Sequence, residues 1–217
     1  MTALKLIIAN KNYSSWSLRP WLLMKESGIE FEEELIQLGT DEFRQRTAEF
    51  SANGCVPVLL HGERIIWDTL AIVEYLAELF PEKNLWPEDA EARAYARSSV
   101  AEMHSGFSAL RNDMPMNIRG DHQNFSCSDA VTANIDRIFE IWQACRDRFG
   151  AGGNMLFGDF SAADAFYAPV IWRFRTYGVT APGALADYME AMIALPAMQE
   201  WKAAGEAEPW TFGADEI

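Results

Sequence analysis

The sequence predicts a small α/β domain followed by an all-helical domain, on three observations. Strand-like and helix-like segments alternate over the first 80 residues. Strand signals all but vanish after residue 87. Between the two regions lies Pro81-Glu82-Lys83-Asn84-Leu85-Trp86-Pro87, a breaker stretch framed by prolines. The expected division is therefore residues 1–80, a linker at 81–87 and a helical domain at 88–217.

In the first region, Leu4-Lys5-Leu6-Ile7-Ile8-Ala9 is short, apolar and β-branched, and reads as a strand. Polar Asn10-Lys11-Asn12-Tyr13-Ser14-Ser15 follows as a loop. A helix is expected over 16–27, carrying Leu18, Trp21, Leu22 and Leu23 and stopping at Gly28. Residues 31–38 predict a second strand, and 41–50 a helix capped by Asp41. Two apolar runs, 58–60 and 65–67, flank His61-Gly62-Glu63-Arg64 and predict a hairpin. Asp68 and Thr69 are helix-opening residue types before a periodic segment that runs to about residue 80. The resulting order β-α-β-α-β-β-α implies a parallel first crossover and an antiparallel last pair.

In the second region, 88–113 predicts one long helix ended by Pro115, and 128–149 another closed by Gly150. Ser161-Ala162-Ala163-Asp164 has the spacing of a capping box with Asp in place of Glu. The helix it opens carries Phe166, Tyr167, Val170, Ile171, Trp172 and Phe174, apolar on most faces and so expected to be buried. Trp142 and Trp172 are assigned to the core. Two further helices are expected over 185–195 and 196–204, the last with Pro196 at its first position.

Composition narrows the function classes. Among 217 residues, 32 acidic side chains face 18 basic ones, a net charge of -14. That balance argues against nucleic acid or an anionic membrane as partner. No apolar run approaches the roughly 18–20 residues of a membrane span, and the first residues do not resemble a signal peptide. Three cysteines, Cys55, Cys127 and Cys145, form no CxxC pair, so neither a disulfide framework nor a zinc site is expected. A reducing, cytoplasmic setting fits this usage.

The chemistry must come from few groups. His61, His104 and His122 stand in no Ser/His/Asp or metal-ligand pattern, and no phosphate loop or dinucleotide fingerprint occurs. What remains is Tyr13-Ser14-Ser15-Trp16-Ser17 at a helix start, where a hydroxyl either caps the helix or donates to a bound anion. The start of the helix after Asp68 offers a second anion seat of the same kind.

Four motifs in order along nearly the whole chain resemble the cytosolic glutathione transferase family. Ser14-Ser15-Trp16-Ser17-Leu18-Arg19 is similar to the serine motif of its zeta-like and related bacterial classes, with serine five positions before arginine. Trp16 stands where the zeta-like class has cysteine, and Leu18 where it has tryptophan. Val56-Pro57 resembles the family's valine and cis-proline, and Asp68-Thr69 its acidic-plus-hydroxyl pair. Ser161-Ala162-Ala163-Asp164 resembles its N-capping box.

The resemblance implies a thioredoxin-like N-terminal domain that binds glutathione and a helical domain that borders the electrophile pocket. It implies a glutathione S-transferase that presents the thiol as thiolate to a small electrophile or peroxide. Two other roles remain open, a zeta-like glutathione-dependent cis-trans isomerase and a non-catalytic binding module. A free thiol has a pKa of about 8.5, so a hydroxyl donor at a positive helix end is what raises its thiolate fraction. Ser14 is the expected donor, with Ser15 its neighbouring competitor and Ser17 and Tyr13 less favoured. Val56 and Pro57 would pair with the cysteinyl part of glutathione. Asp68 would face its ammonium group, and Thr69 its γ-glutamyl carboxylate. Trp16, Met103, Phe107 and Arg111 are the expected electrophile contacts, and Arg111 and Arg119 the candidates for attracting an anionic one. A homodimer without metal is implied as well.

Overall fold

The structure, a computed structural model, describes residues 3–50 and 53–216. Its first part is an α/β layer built from β1 (Leu4–Ile8), α1 (Ser15–Glu26), β2 (Glu32–Leu35), α2 (Asp41–Phe50), β3 (Val58–His61), β4 (Arg64–Trp67) and α3 (Thr69–Leu79). The sheet order is β2-β1-β3-β4. β1 runs parallel to β2, with Lys5 opposite Glu32, while β3 pairs antiparallel to both β1 and β4. The parallel crossover and the antiparallel hairpin are those the sequence predicts. His61 faces Arg64 across a two-residue turn in which Gly62 takes φ 62°, a conformation costly for a side-chain-bearing residue.

Local chemistry accounts for the ends of these elements. The α2 cap is Thr40, whose hydroxyl accepts from the Phe43 N–H at 3.0 Å; Asp41, expected in that role, is the first helical residue. β2 is shorter than the expected 31–38, because only the segment beside β1 is paired. α3 is capped by Asp68, whose carboxylate accepts from Leu70 and Ala71.

The second part comprises α4 (Ala90–Ser105), α5 (Ser108–Asp113), α6 (Asp129–Phe149), α7 (Ala162–Thr176), α8 (Ala184–Ile193) and α9 (Pro196–Ala207). The single helix expected over 88–113 is in fact two. The break falls at Gly106-Phe107, where Phe107 takes φ 57° and α5 begins at Ser108. Helical periodicity persists through such a one-residue reversal, which is why the pattern hides it.

α7 is the centre of the molecule. Nearly every residue from Ala162 to Phe174 is buried, and it packs on α1, α4 and α8. Its capping box is present, with Asp164 accepting from the Ser161 N–H at 2.9 Å and the Leu156 N–H at 3.0 Å. One apolar core runs from Leu6 and Trp21 through Val100 and Trp142 to Trp201, so the sheet layer and the helices share it. Gly205 on α9 lets that helix approach the loop after β1, since a Cβ there would lie 3.1 Å from the Asn12 nitrogen. Glu208, just beyond, accepts from the Lys11 N–H at 2.6 Å and the Asn12 N–H at 3.2 Å.

Candidate active site

Three chain segments end at one place: the start of α1, the residues leading into β3, and the start of α3. Two adjoining cavities open there and share Trp16, Cys55, Val56 and Arg111. The smaller, about 250 Å³, is also lined by Pro57, Asp68, Thr69 and His104. The larger, about 570 Å³, adds Ser14, Ser15, Phe43, Met116, Phe212 and Arg173.

Ser14 is the N-cap residue of α1, and its N–H bonds to the Asn10 carbonyl at 2.8 Å. Its hydroxyl donates to Ser17 Oγ at 2.7 Å, and Ser17 also accepts the Ala9 N–H at 3.2 Å. Ser17 is fully buried and lines neither cavity, whereas Ser14 and Ser15 border the larger one. A helix start presents free N–H groups and a positive dipole end, so an anion near these hydroxyls is favoured. Tyr13 also lines the larger cavity, but its hydroxyl is engaged: it donates to Glu216 and receives Arg119 Nη2 at 2.8 Å.

The Val56-Pro57 peptide is cis. Asp68 sits at φ 72°, ψ 131°, an uncommon conformation for a residue with a side chain, and such outliers gather at binding sites. One of its carboxylate oxygens caps α3; the other lies 3.2 Å from His104 Nε2. Thr69 donates to the Trp16 carbonyl at 3.2 Å, tying the start of α3 to that of α1.

Trp16 lines both cavities. The Arg19 guanidinium lies 4.2 Å from its ring centroid, Arg111 lies 5.3 Å away, and the His104 ring meets it edge-on at 5.3 Å. Arg19 is fully buried and donates to the Ser15 and Phe166 carbonyls, but its Nη2 has no partner. Burial, then the charges of Arg173 and Arg111, pull its pKa well below the usual guanidinium range.

Other expected residues lie elsewhere. Met103 is fully buried in the core, and Phe107 occupies the helix break; neither lines the cavities. Arg119 is spent on the C-terminal strap, donating to the Glu208 and Trp210 carbonyls at 2.7 Å. Conversely, sequence reasoning misses His104, Cys55, Arg173, Phe212 and Asp215 as cavity residues. No local pattern marks them, because each arrives from a distant segment. Among the described residues no group of three or more His, Cys, Asp or Glu side chains is placed to hold a metal.

Comparison with known proteins agrees with this arrangement. Residues 13–79 match the glutathione S-transferase N-terminal domain family, and residues 128–202 its C-terminal domain family. Glutathione S-transferase 1 of Dianthus caryophyllus is 37% identical over 165 residues, covering 72% of this chain and 71% of that protein. A probable maleylacetoacetate isomerase of Caenorhabditis elegans is 32% identical over 98 residues, 45% of each chain. A Burkholderia glutathione transferase homologue, crystallised with bound glutathione, shares the fold at TM-score 0.71 and 23% identity, covering 95% of this chain and all of that one. With both domains matched in order and a relative aligned over most of its length, the chain belongs to the glutathione S-transferase family.

Proposed function

We propose that the protein is a glutathione S-transferase that holds the glutathione thiolate beside Ser14 and Ser15 and presents it to a small electrophile or peroxide. The observation that carries this reading is the meeting of two helix starts, α1 with Ser14 and Ser15 and α3 with Asp68 and Thr69, at Val56-cis-Pro57. The α3 end suits the γ-glutamyl group: the positive helix end and the Thr69 backbone for its carboxylate, and for its ammonium the Asp68 oxygen that faces His104. The backbone at Val56 offers partners to the cysteinyl unit, which leaves the sulfur toward the start of α1.

Ser14 is the donor in this reading. Hydroxyl protons rotate to suit their neighbours. If Ser17, already receiving the Ala9 N–H, donates to Ser14, then the Ser14 proton is free for sulfur. Such a chain polarises each bond in turn and favours the charged form of the thiol. A cytoplasmic, detoxifying role goes with this reading, as does a homodimer. Ile65 and Trp67, apolar and exposed on edge strand β4, support the dimer.

Calorimetric titration of glutathione with an ultraviolet thiolate readout tests the reading. Wild type should bind with a thiolate band, and Ser14→Ala should bind without one. Asp68→Asn keeps the cap and tolerates the positive φ, yet should weaken binding about tenfold or more through the lost charge. No glutathione binding by wild type would end the transferase reading. The aligned nematode isomerase favours one second reading, cis-trans isomerisation of a small unsaturated dicarboxylate. Turnover of maleate-type double bonds, with none of aryl halides, would select it.

A further inference from the structure

Electrostatics around the larger cavity are unbalanced in one direction. Arg111 and Arg173 both line it, and Arg19 lies behind Trp16 at its wall. Arg19 and Arg173 are almost wholly buried, and Arg111 is half-buried. Among the described residues none of the three has a carboxylate within 4 Å, although most other arginines that form ion pairs do so on the surface. Their bonds go to carbonyls instead. Arg173 Nε donates to Met114 O at 2.7 Å and Nη1 to Pro169 O at 3.2 Å, and Arg111 Nη1 donates to His104 O at 3.3 Å. That leaves Arg173 Nη2 and most of the Arg111 fork unengaged.

The three guanidiniums also repel one another. Arg173 is pushed down to about 10, first by burial, with the Arg111 charge adding to it. Arg111 is lowered by burial. Buried cations that outnumber the one carboxylate at their cavity are costly, and a further anion between them relieves both desolvation and repulsion. The acid that lines this cavity is Asp215, on the C-terminal strap, whose charge Arg173 senses. Beside the serines of the α1 start, the cavity offers apolar walls in Trp16, Phe43, Pro115, Met116 and Phe212.

We propose that the second substrate is an electrophile with a flat apolar body and a carboxylate, the carboxylate seated between Arg111 and Arg173 and the body against Trp16 and Phe212. This rests on the transferase reading for its chemistry, while the seat itself does not. Two guanidinium forks converging on one carboxylate give a directional, charge-assisted site that a neutral analogue cannot use. With an aryl chloride, the thiolate electron pair forms the C–S bond, the C–Cl bond breaks and chloride leaves with its pair. The thiol proton has already passed to solvent.

The test compares 4-chloro-3-nitrobenzoate with its methyl ester, a pair that differs in charge at one end. Titrated alone into the full chain, the benzoate should bind about tenfold tighter than the ester. Arg111→Gln and Arg173→Lys should each remove most of that preference, and Asp215→Asn should increase it. In turnover with glutathione, Arg111→Gln should raise the KM for the benzoate far more than the KM for glutathione. Equal binding of acid and ester, or a preference that survives in Arg111→Gln, overturns the seat. Arg111 is half-exposed, so that variant reports even if Arg173→Lys fails to fold. If glutathione does not bind, the transferase reading fails, and the direct titration still decides the seat.

Discussion

Ser14, Ser15 and Ser17 illustrate how one short motif divides its labour. Ser15 borders the cavity, Ser14 stands between cavity and core, and Ser17 is buried with two hydrogen bonds to hold. If Ser17 orients the Ser14 hydroxyl, Ser17→Ala should lower the thiolate fraction of bound glutathione, seen as an upward shift of the thiol pKa by about half to one unit. Glutathione affinity through the γ-glutamyl end should change little. An unchanged thiolate titration curve would confine Ser17 to packing. The motif is legible in the sequence through its resemblance to the family's serine motif, with serine five positions before Arg19. Its internal roles are not, because burial separates hydroxyls that look alike in a string.

At the scale of the element, the Asp164 capping box joins α7 to the loop before it. Its carboxylate holds Leu156 N, Ser161 N and Ser161 Oγ in the buried centre. Asp164→Ala leaves two buried N–H groups unpaired and should destabilise the fold by about 3 kcal/mol or more. Burial outweighs the hydrogen bonds and pushes Asp164 up to about 6, above its ordinary carboxylate value. A raised folded-state pKa contributes stability that is present below pH about 4 and lost as pH rises through about 6. The gap between wild type and Asp164→Ala should therefore be wider at pH 4.5 than at pH 7. Urea unfolding at both values measures it, and a gap that widens with pH contradicts the assignment. The box itself is readable from four residues. The α4–α5 break is not, since only Phe107 reverses its backbone while the apolar spacing continues.

At the scale of the whole molecule, the unpartnered feature is edge strand β4. Ile65 and Trp67 are 42% and 48% exposed, the large apolar side chains that the fold leaves in solvent among the described residues. A second copy covering this strand would bury them, and light scattering should give the mass of two chains at micromolar concentration. Trp67→Glu should shift the population toward one chain without lowering the melting temperature of the monomer. A wild type that runs as a single chain would remove the dimer from the reading. The C-terminal strap belongs to this scale too. Glu208 and Glu216 pin it to the loop after β1, and Phe212 and Asp215 thereby reach the cavity from the far end of the chain.

The division between sequence and structure follows the range of the forces involved. Periodicity, caps and turn residues act within a few positions, so the string alone predicts the β-α-β-α-β-β-α order, the helical second half, the capping box and the two helix starts that frame the site. Through the family resemblance it points to Ser14, Ser15, Val56, Pro57, Asp68, Thr69, Trp16 and Arg111, all of which line the cavities. It also names Met103 and Phe107, which packing claims for the core and the helix break. Only the tertiary structure brings His104 against Asp68 and gathers Arg111, Arg173 and Asp215 at one cavity. Those contacts join residues scores of positions apart, and no local pattern encodes them, because they arise when separate elements compete to bury their apolar faces in one core.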